Sequence, residues 1–333
     1  MLTINQLKFM NKKILKISIG ILRVACMTVL WPLEKILLNK SVKTPSPAVF
    51  IIGPPRSGTT LIYELMIRRY KFSYISNFAH KLYGTPVAAT LIGKPIIEKW
   101  CKQCKSAYSS TYGGIKGWGA PSEGGWIWNR WLPENHYLDE LHVKQLPAQL
   151  IKDTVNGIIC VMNAPFINKN VMHSVHMRLL DKLFPNCLFI HIEREIKANI
   201  RSIVRAHAKV GKNEHEWFSV KPREWEQFKH TDILMRSAAQ VHYTHKNIER
   251  DTKHLGITRV LKINYEEFCK APQDTLTKIG EFMANNNVKF EHRDIVYPNL
   301  STSKQKPFSE DIELQMSKYL ESLLKNSNIN KEQ

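Results

Sequence analysis

The segment Val49-Phe-Ile-Ile-Gly-Pro-Pro-Arg-Ser-Gly-Thr-Thr60 restricts the fold of this chain more than any other stretch. Four consecutive large apolar residues, Val49 to Ile52, predict a strand buried on both faces rather than one with a wet side. Gly53, Pro54 and Pro55 then enforce a turn, and a helical pattern runs from Thr59 to Tyr70. In a strand–turn–helix of this kind, the backbone N–H groups of the turn and of the helix N-terminus converge on one point and form a cradle for an anion.

Further apolar strand candidates lie at Phe72–Ser76, at Leu188–Ile192 (followed by a helix through about His207) and at Arg259–Ile263 (followed by a helix opening near Pro272). Strands alternating with helices predict the α/β class: a P-loop-like parallel β-sheet flanked by helices. Residues 77–150 are aromatic, rich in Gly and Pro and without clean periodicity, the composition of loops that wall a substrate cleft. The spacing of Gly53, Gly58 and Thr60 matches the nucleotide-binding loop GxxxxGK[ST] except at Thr59, which stands where that loop has lysine. A kinase or NTPase needs the lysine to neutralise the phosphates between which the bond breaks. Arg56, inside the loop, provides the positive charge here.

Charge adds a second constraint. The 333 residues carry a formal net charge of +19, and the pI is ≈ 9.6. Such a field favours an anionic partner, but the basic residues form no recognisable nucleic-acid reader, so no nucleic acid is expected. Residues 1–48 hold eight Lys or Arg and a single acid, Glu34. The chain therefore divides into a basic amphipathic N-terminal helix or arm, 1–45, and an α/β domain, 46–333. Within 14–38 the longest uninterrupted apolar run is Ile17–Leu22, too short for a spanning helix of about 20 residues. An in-plane helix touching an anionic membrane surface fits better; a helix packed on the chain's own body and a single-pass anchor are the other readings. Six scattered cysteines, mostly among apolar neighbours, read as buried thiols in a reducing compartment. A cytoplasmic protein, peripheral on the inner face of the membrane, is expected.

FIIGPPRSGTTLIYELM resembles the 5′-phosphosulfate loop of sulfotransferases that use 3′-phosphoadenosine 5′-phosphosulfate, and LFIHIEREIKANIRSI is similar to their second signature. The resemblance implies that Pro55, Arg56, Ser57, Gly58, Thr59 and Thr60 hold the 5′-phosphosulfate. It also implies that Arg194 and Ser202 hold the 3′-phosphate, with Lys304 in a late basic loop beside them. Arg at a strand end and a hydroxyl two turns into the next helix can physically converge on one anion. The turn after Arg194 departs from the family, reading Glu-Ile-Lys197. Lys169, within Asn168-Lys-Asn170, matches the family's catalytic lysine, which stabilises the bridging oxygen as the phosphate leaves; by itself this tripeptide reads as a loop. Asn264-Tyr-Glu-Glu-Phe followed by Pro272 resembles a further family segment, and GAPSEGGWIWNRWLP resembles bacterial carbohydrate- or lipid-type members. The implied acceptor is a hydroxyl on a glycan, glycolipid or related molecule.

Transfer in line at sulfur needs a base on the acceptor hydroxyl. Glu123 is preferred, since it sits in a Gly/Pro loop beside Trp118, Trp126 and Trp128; His173 is the alternative, although its helical spacing to His176 also suits a packed helix face. No metal is expected, because His242 and His245 lack a completing carboxylate or Cys cluster, and no G-x-S-x-G elbow signals a hydrolase. The competing readings are a P-loop nucleotide kinase or NTPase, and a non-catalytic membrane-surface protein that binds anions.

Overall fold

Val49–Ile52 forms β1, with all four residues buried. The computed structural model describes residues 4–39, 47–103, 110–111, 114–132, 136–210, 216–295, 297, 300, 302 and 306–329. Ahead of β1 runs α1 (Ile4–Leu38), and after it come α2 (Thr59–Arg69), α3 (Asn77–Lys81) and α4 (Pro86–Gln103). A small hairpin of β2 (Ser110–Thr111) and β3 (Gly114–Ile115) leads to α5 (Gly125–Trp128) and α6 (Ala148–Met162). Then follow β4 (Ile167–Lys169), α7 (Met177–Leu183), β5 (Leu188–Glu193), α8 (Ile196–Val210), α9 (Ile233–Leu255) and β6 (Val260–Asn264). The chain continues through α10 (Tyr265–Lys270), α11 (Pro272–Asn285) and α12 (Glu310–Ile329).

Among the described residues the main sheet has the order β4-β1-β5-β6, and each neighbouring pair is parallel. The period of two divides β1 between two cores. Val49 and Ile51 join the cluster under α2 and α11, whereas Phe50 and Ile52 join the cluster under α6 and α7. Both faces are covered, as the continuous apolar run requires. A third cluster packs α8, α9 and α12 through Ile200, Ile203, Leu234, Met316 and Leu323.

The α/β expectation and the strands at 49, 188 and 260 hold. Phe72–Ser76 is buried and extended but makes only isolated bridges, Ser73 to Phe166 and Ser76 to Pro121, so it is not a strand. The fourth strand is β4, whose three residues are too few to show alternation in the sequence. The thiols also differ from expectation: Cys187 and Cys269 are buried, but Cys26 and Cys160 are exposed, and Cys104 lies outside the described residues.

α1 divides along its length. Glu34 is buried and accepts hydrogen bonds from the N–H groups of Val87 (3.2 Å) and Ala88 (2.7 Å) in the first turn of α4. A helix N-terminus favours that negative charge, while burial raises the carboxyl above its ordinary pKa. Toward its N-terminus the helix leaves Ile21, Leu22, Val24 and Val29 exposed. No helix among the described residues is long and apolar enough to cross a membrane.

Buried imidazoles give the fold an acid dependence. His176 is pushed down to about 4, chiefly by burial. Unfolded, it titrates near its ordinary 6.5 and binds more protons than the native state between pH 6.5 and about 4. Its contribution is therefore fully present above pH 6.5 and is lost as the pH falls through that window. Buried Glu34, Glu64 and Asp251, whose carboxyls are raised, act in the opposite sense. His176→Gln keeps a donor for the His136 carbonyl without the titration, so its urea midpoint should slope less steeply between pH 6.5 and 4 than that of the parent. Parallel slopes would refute the assignment.

Candidate active site

The loop after β1 turns in left-handed backbone. Gly53 has φ +149°, Arg56 +67° and Gly58 +99°. A Cβ on Gly58 would lie 2.2 Å from the Tyr265 ring, so only glycine fits there. Arg56 holds a conformation rarely adopted by a non-glycine residue, and its carbonyl accepts from Arg194 Nη1 at 3.0 Å. Asn199, on α8, donates to the Pro55 carbonyl at 2.6 Å. Ser174 clamps the base of the turn: its Oγ accepts from the Gly53 N–H (2.9 Å) and donates to the Gly53 carbonyl (3.0 Å).

α2 opens at Thr59 with Gly58 as its N-cap, so no side chain caps the first turn. Its leading N–H groups are left for a ligand. Ser57 is buried, and its hydroxyl meets no hydrogen-bond partner among the described residues. An uncapped helix start, an unsatisfied hydroxyl and a backbone with no space for a Cβ are the features of a loop shaped for a phosphate- or sulfate-like group.

This loop forms one wall of a cleft of about 360 Å³. Pro55, Arg56, Gly58, Thr59 and Thr60 line it together with Glu123, Lys169 and Arg194, joined by Leu61, Val171, Val210, Phe218, Ser219 and Tyr265. Strand order brings these together. β4 and β5 pair on either side of β1, so Lys169 at the end of β4 and Arg194 just past β5 flank the loop at the carboxyl edge of the sheet. The Arg194 guanidinium also lies 4.9 Å above the Tyr265 ring. Ser202 is buried behind Arg56, which donates to its hydroxyl at 3.4 Å.

Lys169, 3% exposed at its side chain, forms an ion pair with Glu123, 34% exposed. The loop carrying Glu123 is held by Asn168 and Asn170, whose amides donate to the Glu123 carbonyl at 3.4 and 3.5 Å. A buried ammonium without a partner would be strongly destabilising. Glu123 compensates it and faces the same point in the cleft. The arrangement can bind a multiply charged anion, stabilise charge on a departing oxygen and accept a proton from a hydroxyl.

A model of the sulfotransferase family matches residues 47–285. The chain belongs to the sulfotransferase family. Sulfotransferase STF9 from Mycobacterium avium is 16% identical, with a TM-score of 0.53, covering 89% of this chain and 72% of that one. The sulfotransferase from Alicyclobacillus acidocaldarius is 12% identical at TM-score 0.43 and covers 85% and 93%. The sulfotransferase domain from the Synechococcus PCC 7002 olefin synthase is 19% identical at 0.41 and covers 73% and 74%. At these identities the likeness to STF9 is one of fold. No match was found among curated protein sequences.

In this sulfotransferase His173 does not reach the cleft. It is fully buried, with Nε2 2.9 Å from Asn168 Oδ1 and its ring edge-on to Phe50 and Trp128. Burial, with His176 nearby, holds its pKa far below the ordinary value. It belongs to the core and not to the acceptor site. Lys304 lies outside the described residues. His245, read above without a carboxylate partner, meets His191 (3.0 Å) and stands near Glu193, so that ligand atoms of all three lie within 4.8 Å of one another. Glu193 is also held by Lys262 at 3.2 Å. Tyr265, Asn199 and Ser174 were missed as parts of the site. Only the Asn264-Tyr265 segment carried a signal, through family resemblance.

The Ser174 clamp is open to direct measurement. Ser174→Ala leaves a buried N–H and a buried carbonyl of Gly53 without a partner, each at a cost of about 1–3 kcal/mol. Urea unfolding should show a loss of about 2 kcal/mol or more, and a variant as stable as the parent would rule the clamp out.

Proposed function

We propose that this sulfotransferase moves a sulfuryl group from 3′-phosphoadenosine 5′-phosphosulfate to a hydroxyl of a glycan, glycolipid or related acceptor. The observation that carries the reading is the meeting of Pro55, Arg56, Gly58, Thr59 and Thr60 with Lys169, Glu123 and Arg194 in one cleft at the carboxyl edge of the sheet. The donor supplies an activated sulfuryl group and a 3′-phosphate for recognition. Backbone N–H groups of the loop and of the first turn of α2, with Arg56, receive the 5′-phosphosulfate end. Arg194, with Ser202 behind Arg56, receives the 3′-phosphate. Lys169 stabilises negative charge on the oxygen that departs, and Glu123 takes the proton of the acceptor hydroxyl. A kinase reading would need a lysine at position 59, where the chain has threonine. The same proposal has the enzyme in the cytoplasm, peripheral on an anionic membrane face through the basic arm, consistent with the single acid among its eight cations.

Two measurements test it. Adenosine 3′,5′-bisphosphate should bind far more tightly than 5′-AMP, and Arg194→Ala should narrow that preference at least tenfold, since a charge-assisted hydrogen bond contributes about 1.5–3 kcal/mol. Equal affinity of the parent for both nucleotides would defeat the 3′-phosphate assignment.

The second separates chemistry from binding. Lys169→Ala should lower kcat by roughly a hundredfold or more while bisphosphate affinity changes modestly, because its role arises only as charge develops. Glu123→Gln should also slow turnover, with a loss that shrinks at high pH as the hydroxyl ionises unaided. Near-normal turnover of Glu123→Gln would remove it as the base.

A further inference from the structure

A second cavity, about 880 Å³, opens between α1, α3 and α4. Its walls are apolar and wet: Leu22 is 64% exposed, Val29 78%, Ile92 49% and Trp118 60%. A contiguous apolar surface of this kind marks a binding site more often than chance exposure. Among the described residues the charged side chains that line it are Arg23 and Lys81, both cationic, and none is acidic. These two cations sit 4.5 Å from the centre of the same indole, Trp126.

Trp126 is tied to the groove through these two cations and to the cleft through its place in the chain. It lies in the loop-and-helix segment three residues after Glu123 and stacks on His80 at 4.8 Å. Glu123 in turn acts electrostatically on His80, whose pKa is pushed down to about 4 by burial and by Lys81 and Arg23. A neutral imidazole stacked on an indole thus stands beside the two cations of the groove, near enough to Glu123 to feel its charge.

We infer that the acceptor is a single-chain anionic amphiphile: its acyl chain lies in the groove between α1, α3 and α4, Arg23 and Lys81 meet its anionic headgroup, and its hydroxyl reaches Glu123 across Trp126. A hydrocarbon chain leaves no polar group unsatisfied in such a groove, whereas an extended peptide would bury backbone amides with nothing to bond them. The chemistry at the far end rests on the sulfuryl-transfer reading. There the acceptor oxygen forms a bond to sulfur as the S–O bridge to the 5′-phosphate breaks. The hydroxyl proton passes to Glu123, and adenosine 3′,5′-bisphosphate leaves with the bridging electron pair. The groove contributes a length-dependent affinity that needs no donor.

Calorimetric titration of the full chain with lysophosphatidylglycerols of increasing acyl length, each below its critical micelle concentration, tests the inference. Kd should fall about fourfold per added methylene until the groove is filled. The Val29→Trp/Ile92→Trp double variant changes two exposed positions, where substitution costs the fold little. It should lose that length dependence and bind the longest chain at least tenfold more weakly, with adenosine 3′,5′-bisphosphate affinity unchanged. Lys81→Glu should weaken lysophosphatidylglycerol but not an uncharged monoacylglycerol of equal length. Affinity independent of chain length, unaltered binding by the double variant, or binding to phosphatidylglycerol vesicles alone would each overturn the inference. Length-dependent binding in a parent that ignores adenosine 3′,5′-bisphosphate would uphold the groove and overturn the donor assignment instead.

Discussion

Parallel pairing on both edges of β1 sets the geometry on which the rest of the molecule depends. With β4 on one side and β5 on the other, three strand ends emerge at one edge of the sheet. The chain leaving β1 has to turn between them, in a space already bounded by Lys169 and Arg194. That confinement is why the turn uses left-handed backbone at Arg56 and Gly58, and why Tyr265 can close against Gly58 without a Cβ in between. Ser174 then fixes the turn to the segment after β4 through both polar groups of Gly53. Contacts from Ser174, Arg194 and Tyr265 thus complete a turn that glycine makes possible.

Electrostatics follow from this placement. Lys169 arrives at the cleft nearly dehydrated, and its charge is tolerable only with a carboxylate beside it. Glu123 meets that need from a loop tied to Asn168 and Asn170 on either side of the lysine. One short segment thus holds both the cation and the loop that carries the proposed base. The same loop continues into Trp126, over whose ring the two cations of the apolar groove sit, so the donor side and the proposed acceptor side are linked through a few residues of backbone.

Legibility in the sequence tracked locality. The strand–turn–helix at 49–69 and the strands at 188 and 260 are each defined within a few residues of chain, and each was readable. β4 was not, because three residues carry too little pattern, and so Lys169 read as a loop residue. His173 suited a base by composition, while its spacing to His176 suited a packed helix face. It points into the core, where Asn168, Phe50 and Trp128 surround it, and those neighbours are remote in sequence or set by the fold. His245 likewise had no visible partner until β5 brought His191 and Glu193 to it.

By itself, then, the sequence determined the class of fold, the strand–turn–helix at 49–69 and the family, because apolar runs, glycine and proline act on backbone within a few residues of themselves. It also determined that the N-terminal arm is basic and interrupted by charge. Tertiary structure alone decided that Lys169 pairs with Glu123, that Ser174 holds Gly53, that His173 is excluded from the cleft, and that α1 lies beside α3 and α4 to leave an apolar groove between them. Those outcomes depend on strand order and on burial. Both arise from packing between segments far apart in the chain, and desolvation acts on a side chain only after such packing has surrounded it.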